Sequence, residues 1–352
     1  MPSPTGAYRT AGVDIDAADL AKDQIAARVA ATHNASVLRG IGLFGGFFRA
    51  PRSDGDVVLV SSADSVGTKV LIAALLRRHV GIGIDLVNHC VNDILACGAR
   101  PLFFLDYYAT PQLDPAALHQ VIEGLTHACQ EAGCALVGGE TAQLPGIYQP
   151  GSYDVAGFIV GAVDEQQIID GARIRENDII IGLRSDGLHT NGFTLARAAL
   201  GLDENADDVR KQLDRKPAGS DETLGELLLR PHRSYLAAIS PLLELGIVKG
   251  MAHITGGGIA GNVGRIIPEG LVAEIDLDSW SPNPIFRLIQ ERGSIPAPEM
   301  YSVFNMGIGF VVIVNPDDAT HVLTGSSDAC VIGRIAASSD QTKVRLAGLK
   351  DG

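Results

Sequence analysis

Five short segments gather the residues able to do chemistry on phosphates. The first, Ser62-Ala63-Asp64-Ser65-Val66-Gly67-Thr68-Lys69, joins a carboxylate to backbone amides, a hydroxyl and a cation. That set suits a metal-bound phosphate, although the spacing is not that of a Walker A loop. A plain turn with Thr68 as helix cap uses the same residues. In the second, Ile84 to Asp93, the residues Asp85, Asn88 and Asn92 fall at i, i+3 and i+7, with Asp93 beside them. On a helix they make one stripe. Asn and Asp are poor helix-interior residues, so the stripe is either a solvated face or a row kept for another purpose.

The third segment, Gly138-Gly139-Glu140-Thr141, sets a carboxylate behind two glycines that let a ligand or another backbone come close. Asp64, Asp93 and Glu140 would together form an all-oxygen site suited to nucleotide-borne Mg²⁺. Each alone is equally a helix or turn cap. The fourth runs Ser185-Asp186-Gly187-Leu188-His189-Thr190-Asn191-Gly192. A lone His is often an inert buried imidazole, but a Gly/Asn/Thr loop suits one poorly, so His189 is a candidate for proton transfer or phosphate contact. The fifth opens on His253, read as a structural residue, and places Thr255-Gly256-Gly257-Gly258 before a helix. Three glycines there make an anion nest or an ordinary loop.

Most of these segments sit where a strand hands over to a helix. The patterns predict strands at 57–60, 102–108, 135–137 and 155–163, with helices over 19–32, 69–78, 84–97 and 115–132. Asp114 and Pro115 open the last of these. After a turn-rich boundary near Asp170-Gly171 come a strand at 178–183, a helix at 192–200, a charged stretch over 203–230, a helix after Gly258 and a strand at 308–314. The expectation is an α/β (α+β) protein of two domains, 1–168 and 169–352.

Composition narrows the class of function. The net charge of −13 and an aromatic content of 5% argue against a nucleic-acid binder, and no apolar run reaches a membrane span. The opening Met-Pro-Ser-Pro-Thr-Gly lacks the basic and apolar regions of a signal peptide. Five cysteines without a CxxC pair suit a reducing, cytoplasmic setting with neither disulfides nor a cysteine zinc site. Glycine stands out, at 41 of 352 residues against a usual ~7%. Many of the glycines lie in the chemical segments, where backbone amides can meet phosphate.

Taken together, the chain resembles the phosphoribosylformylglycinamidine cyclo-ligase (AIR synthetase) family. The segments that carry the likeness are AGVDIDA (11–17), GLFGGF (42–47), DSVGTK (64–69), GIDLVNHCVNDILACGARPLFFLDYYA (83–109), LVGGETAQLPGIY (136–148), YDVAGFIVG (153–161), SDGLHTNGF (185–193), HITGGG (253–258) and MYSVFNMGIG (300–309). The resemblance implies ATP-dependent closure of formylglycinamidine ribonucleotide to aminoimidazole ribonucleotide. It also implies a homodimer that pairs its N-terminal mixed sheets, with ATP near that interface, and a C-terminal α/β sandwich. On this likeness Asp64, Asp93 and Glu140 would hold Mg²⁺, and Gly67, Thr68, Lys69 and Asn92 would meet ATP. His189, Thr190, Asn191 and Gly192, with Thr255, Gly256, Gly257 and Gly258, would take substrate phosphate. His189, Lys69 and Asp93 would be the catalytic residues.

Two positions depart from the family pattern: Ser65 stands where a glycine is usual, and the stretch 26–33 carries no lysine. Thiamine-monophosphate kinase, selenophosphate synthetase and a non-catalytic nucleotide-binding partner are the alternatives. The first cysteine, Cys90, lies far from where a selenophosphate synthetase carries its reactive residue, and the FFLDYYA segment does not favour the kinase. A pure sensor need not keep Lys69, Asp93, Glu140 and His189 together.

Overall fold

The computed structural model describes residues 6–11, 31, 33–39, 43–50, 56–203 and 205–349, and the helix expected over 19–32 falls almost wholly outside them. Two sheets organise the rest. The first contains β1 (Gly46–Arg49), β2 (Val57–Ser65), β3 (Arg100–Thr110), β4 (Ala135–Gln143) and β5 (Asp154–Asp164), in the order β1-β2-β5-β3-β4. All its pairings are antiparallel except β3 with β4. The second contains β6 (Ile179–Arg184), β7 (Val248–His253), β8 (Leu271–Asp276), β9 (Ile308–Val314), β10 (Ala329–Ala337) and β11 (Val344–Ala347), in the order β11-β8-β10-β6-β9-β7. Every residue of β9 is buried, as a continuous apolar run requires.

One face of the first sheet carries the Val80–Ala96 and Pro115–Glu131 helices. Asp114 caps the second of these, its carboxylate accepting from the Ala116 and Ala117 amides. The opposite face is apolar and uncovered. Ala63, Phe158 and Leu105 lie side by side across β2, β5 and β3, and Phe158, Leu102 and Val137 are 46%, 46% and 60% exposed.

Two readings of the sequence need correction. The Gly-Gly-Glu-Thr segment is not a loop after a short strand: β4 continues to Gln143, in parallel pairing with β3. Glycine at 139 permits this, because a Cβ there would collide with the Asp106 carboxylate. The charged stretch 203–230 contains two helices, Ala206–Leu213 and Leu224–Leu229, the latter opened by a Thr223/Glu226 capping box.

The Asp/Asn stripe explains how the halves join. Its side chains are buried, and they grip an irregular segment, 230–235, that has no ladder of its own. Asp85 accepts from the His232 amide at 2.6 Å, Asn88 donates to His232 O at 2.7 Å, and Asn92 both donates to Arg233 O and accepts from the Tyr235 amide. At the head of the stripe Lys69 pairs with Asp85 at 2.8 Å, both fully buried. Its ammonium also donates to His189 O and Arg230 O, so it has a full set of partners. Burial draws Lys69 down and Asp85 up, and each charge persists through the other.

Removing one partner of such a pair strands a buried charge. Lys69→Met is expected to lower unfolding free energy by about 3–5 kcal/mol, and adding Asp85→Leu to recover most of it. Urea titration of both variants checks this. A single variant within about 1 kcal/mol of wild type would show that the pair does not hold the seam.

Candidate active site at the interdomain seam

Four of the five segments meet where the halves join. Gly67, with φ of +64°, turns the chain after β2 beneath the Thr190 carbonyl, and Thr68 Oγ1 lies 3.1 Å from Thr194 Oγ1. A Cβ on Gly256 would sit 3.3 Å from Asn191 Oδ1, so the His189–Gly192 and Thr255–Gly258 loops are neighbours. Asn262 braces the second loop through the Thr255, Gly256 and Gly258 carbonyls. His189 itself takes a left-handed conformation (φ +64°), which Lys69 holds by its hydrogen bond to the His189 carbonyl.

Between these loops lie four histidines. The His189 ring stacks on His232 with centroids 4.1 Å apart, and both of its nitrogens are buried without a hydrogen-bond partner. Gly309 lacks a side chain where the His189 ring and the Tyr235 hydroxyl press against it. Burial, reinforced by the other histidines and Lys69, holds the His189 and His232 pKa values well below the ordinary imidazole range, so both rings are neutral.

The remaining contacts form a circuit that begins and ends on β2. Ser62 donates to Asp93 at 2.9 Å, and Asp93 meets His253 Nδ1 at 2.8 Å. Burial pushes the Asp93 carboxyl up, but the His253 hydrogen bond and charge, with His89 and Ser62, outweigh it and keep Asp93 ionised. His253 therefore donates from Nδ1, and its Nε2 accepts from His232 Nε2 at 3.0 Å. His232 Nδ1 then accepts the Thr190 hydroxyl, whose oxygen accepts from His89 Nδ1. His89 Nε2 is left facing Asp64 Oδ2 at 3.1 Å. The Asp64 carboxyl in that contact is pushed up to about 6, chiefly by burial and against the pull of His89.

Three expected roles do not match this geometry. Lys69 is enclosed by Asp85 and two carbonyls, which leaves no donor for ATP. Both ends of the Asn92 amide are occupied by the Arg233 and Tyr235 main chain. Glu140 does not join Asp64 and Asp93 within one chain. It lies on exposed β4, three strands from Asp64, or about 14 Å at strand spacing, and strand alternation turns it to the opposite face. The sequence reading placed Ser62 and His89 inside its chemical segments without giving them a role, and missed His232. The spacing of His89, four residues from both Asp85 and Asp93, was a usable signal; His232 gave none.

His89, Asp93 and His253 each place a ligand atom within 4.8 Å of the others, a donor set richer in nitrogen than Mg²⁺ prefers. Asp64 and Asp93 fit Mg²⁺ better. They are adjacent, the Asp64 carboxyl is 32% exposed, and its pKa is raised first by burial and then by the Asp93 charge, which a cation would relieve. Two carboxylates, with phosphates and water, are a usual Mg²⁺ environment.

Residues 33–163 match the family described as AIR synthase related protein, N-terminal domain, and residues 175–344 its C-terminal domain. Phosphoribosylformylglycinamidine cyclo-ligase of Bifidobacterium animalis subsp. lactis (strain AD011) is 48% identical over 88% of this chain and 90% of its own. The protein of that name from Pseudothermotoga lettingae is 46% identical over 93% and 96%. Among solved structures, thiamine monophosphate kinase from Aquifex aeolicus superposes with a TM-score of 0.60 at 16% identity, covering 95% of this chain and 97% of that one. The hydrogenase maturation protein HypE of E. coli gives 0.56 at 21%, covering 84% of each. At such identities these two share the fold alone. No helix among the described residues is long and apolar enough to cross a membrane. The two domain matches and the close relatives agree: the chain belongs to the phosphoribosylformylglycinamidine cyclo-ligase family.

Proposed function

We propose that the interdomain seam closes the imidazole ring of aminoimidazole ribonucleotide at the expense of ATP, as the family's name implies. The chain is an ATP-dependent cyclo-ligase of purine biosynthesis. ATP phosphorylates the formyl amide oxygen of formylglycinamidine ribonucleotide, and an amidine nitrogen attacks that carbon. The C–O bond breaks and phosphate leaves with the electron pair, while the attacking nitrogen loses a proton. The observation that carries this reading is the His189 imidazole: neutral, buried, without a partner, and set among glycine-rich loops. A neutral imidazole is the form able to take that proton.

Thr190, Asn191, Gly192 and the Thr255–Gly258 loop are the proposed phosphate contacts, supplying hydroxyls, an amide and backbone N–H groups. Gly67 and Thr68 are the proposed ATP contacts. Asp64 and Asp93 would hold Mg²⁺, which when bound supplies positive charge to the nucleotide phosphates. Lys69 is proposed to act at a distance, by positioning His189. The uncovered face of the first sheet is proposed to pair with a second copy, and the free cysteines suit a cytoplasmic setting.

Purified protein given ATP, Mg²⁺ and formylglycinamidine ribonucleotide should release aminoimidazole ribonucleotide, ADP and phosphate; ATP binding without product would refute the reading. Asp93→Asn should cut turnover at least about tenfold through weaker metal binding.

His189→Asn should cost about 10²–10⁴ in kcat and also change the pH dependence of stability. The native pKa of His189 lies below its unfolded value of ~6.5, so the unfolded state binds more protons. Stability is therefore complete above that pH and falls as pH drops below it. The variant should show a shallower fall in urea titrations between about pH 6.5 and 5. An unchanged slope would mean that His189 is not buried and neutral.

Phe158→Asp should convert a dimer to monomers in sedimentation analysis. Dimers surviving at the same concentration would place the interface elsewhere.

A further inference from the structure

We propose that a second ligand site, outside the seam, binds a nucleoside monophosphate between the Ala206–Leu213 and Pro284–Gly293 helices. A cavity of ≈ 640 Å³ lies there, floored by Leu200, Leu224 and Leu288. Lys211, Arg215, Lys216 and Arg292 line it, with Asp208 as the sole carboxylate. Lys211 is matched to Asp208 at 2.9 Å. Among the described residues Arg215, Lys216 and Arg292 have no carboxylate partner, whereas most arginines of this chain are paired. The C-terminal dipoles of the two helices together offset about one charge, leaving an excess of about two positive charges. The walls are fixed by hydrogen bonds to main-chain carbonyls: Leu224 N donates to Arg215 O at 2.8 Å, and the Gln212 side chain, through Nε2, to Leu200 O at 2.6 Å.

A second cavity of ≈ 590 Å³ adjoins the first and shares Pro217, Ala218 and Leu288 with it. Its two arginines are neutralised within the wall, Arg287 by Glu291 and Arg230 by Glu222. Leu227 and Ile285 add apolar surface. A cationic chamber beside a partly apolar one, whose one unmatched charge is the Asp221 carboxylate, matches a ligand with a phosphate at one end and a flat ring bearing hydrogen-bond donors at the other. Both volumes lie in the range of small-molecule sites. The unpaired arginines supply the forked donors that phosphate favours.

Calorimetric titration of AMP into wild type and into R215A/K216A/R292A tests the assignment, with inorganic pyrophosphate as the ring-free comparison. Wild type should bind AMP with Kd below roughly 1 mM, and the variant at least about tenfold more weakly, with its cyclisation rate unchanged. Equal AMP affinity in the two proteins, or none in wild type, overturns the proposal. Pyrophosphate binding as tightly as AMP overturns it too, since the ring chamber would then contribute nothing. If the triple variant has lost its melting transition, R215Q/R292Q, which keeps the side-chain length, takes its place under the same criteria.

Discussion

The seam depends on one buried ion pair. Lys69 and Asp85 are both fully enclosed, and neither charge is tolerable there alone. Together they make a rigid fork that reaches three backbone groups of the second half: the carbonyls of His189 and Arg230 and the amide of His232. Those groups belong to loops that no sheet satisfies. Hydrophobic burial could bring the two halves together, but it is non-directional and would not set the stacking of His189 on His232. The pair does so, because a displaced loop would leave a buried charge without its bonds.

That constraint explains why catalytic and structural polar groups are so intermixed. The stripe of Asp85, Asn88 and Asn92 holds the 230–235 segment, and the same helix carries His89 and Asp93 into the hydrogen-bond circuit. A helix is stiff over this length, so clamp and site share one reference frame. Of the four seam imidazoles, all except His189 have both ring nitrogens engaged in that circuit. The circuit fixes its members as tautomers and leaves one ring unpartnered, which is the condition a proton acceptor needs.

Much of the fold was legible from period and punctuation. The apolar run at 308–314 and the Asp114-Pro115 start stand where the sequence places them, because a buried strand and a capped helix are both local decisions. Where the reading failed, the cause was tertiary. Two glycines in β4 looked like a loop, but one of them, Gly139, leaves space that a neighbouring carboxylate occupies. Asn92 and Lys69 looked ligand-directed because a polar side chain on a buried helix has two uses, and only the irregular 230–235 segment decides between them. His232 could not be found locally, since its main chain is held by residues more than a hundred positions away and its ring partners, Thr190 and His253, lie 42 and 21 positions away.

The glycine-rich, acidic character of the chain follows from the same physics. Phosphate binding is often equated with clustered lysine and arginine, yet the one lysine at the seam is fully committed to protein groups. The seam is instead lined by neutral imidazoles, hydroxyls and glycine backbone, with two carboxylates beside them. Such a site offers donors without a fixed positive charge, so an anion gains its full attraction only when it arrives with its own cation. Selectivity for metal-bound nucleotide over free polyanions is then a property of the charge distribution, and unpaired guanidinium groups at the seam would destroy it. Their gathering in a separate cavity, between the Ala206–Leu213 and Pro284–Gly293 helices, keeps the two kinds of anion recognition apart.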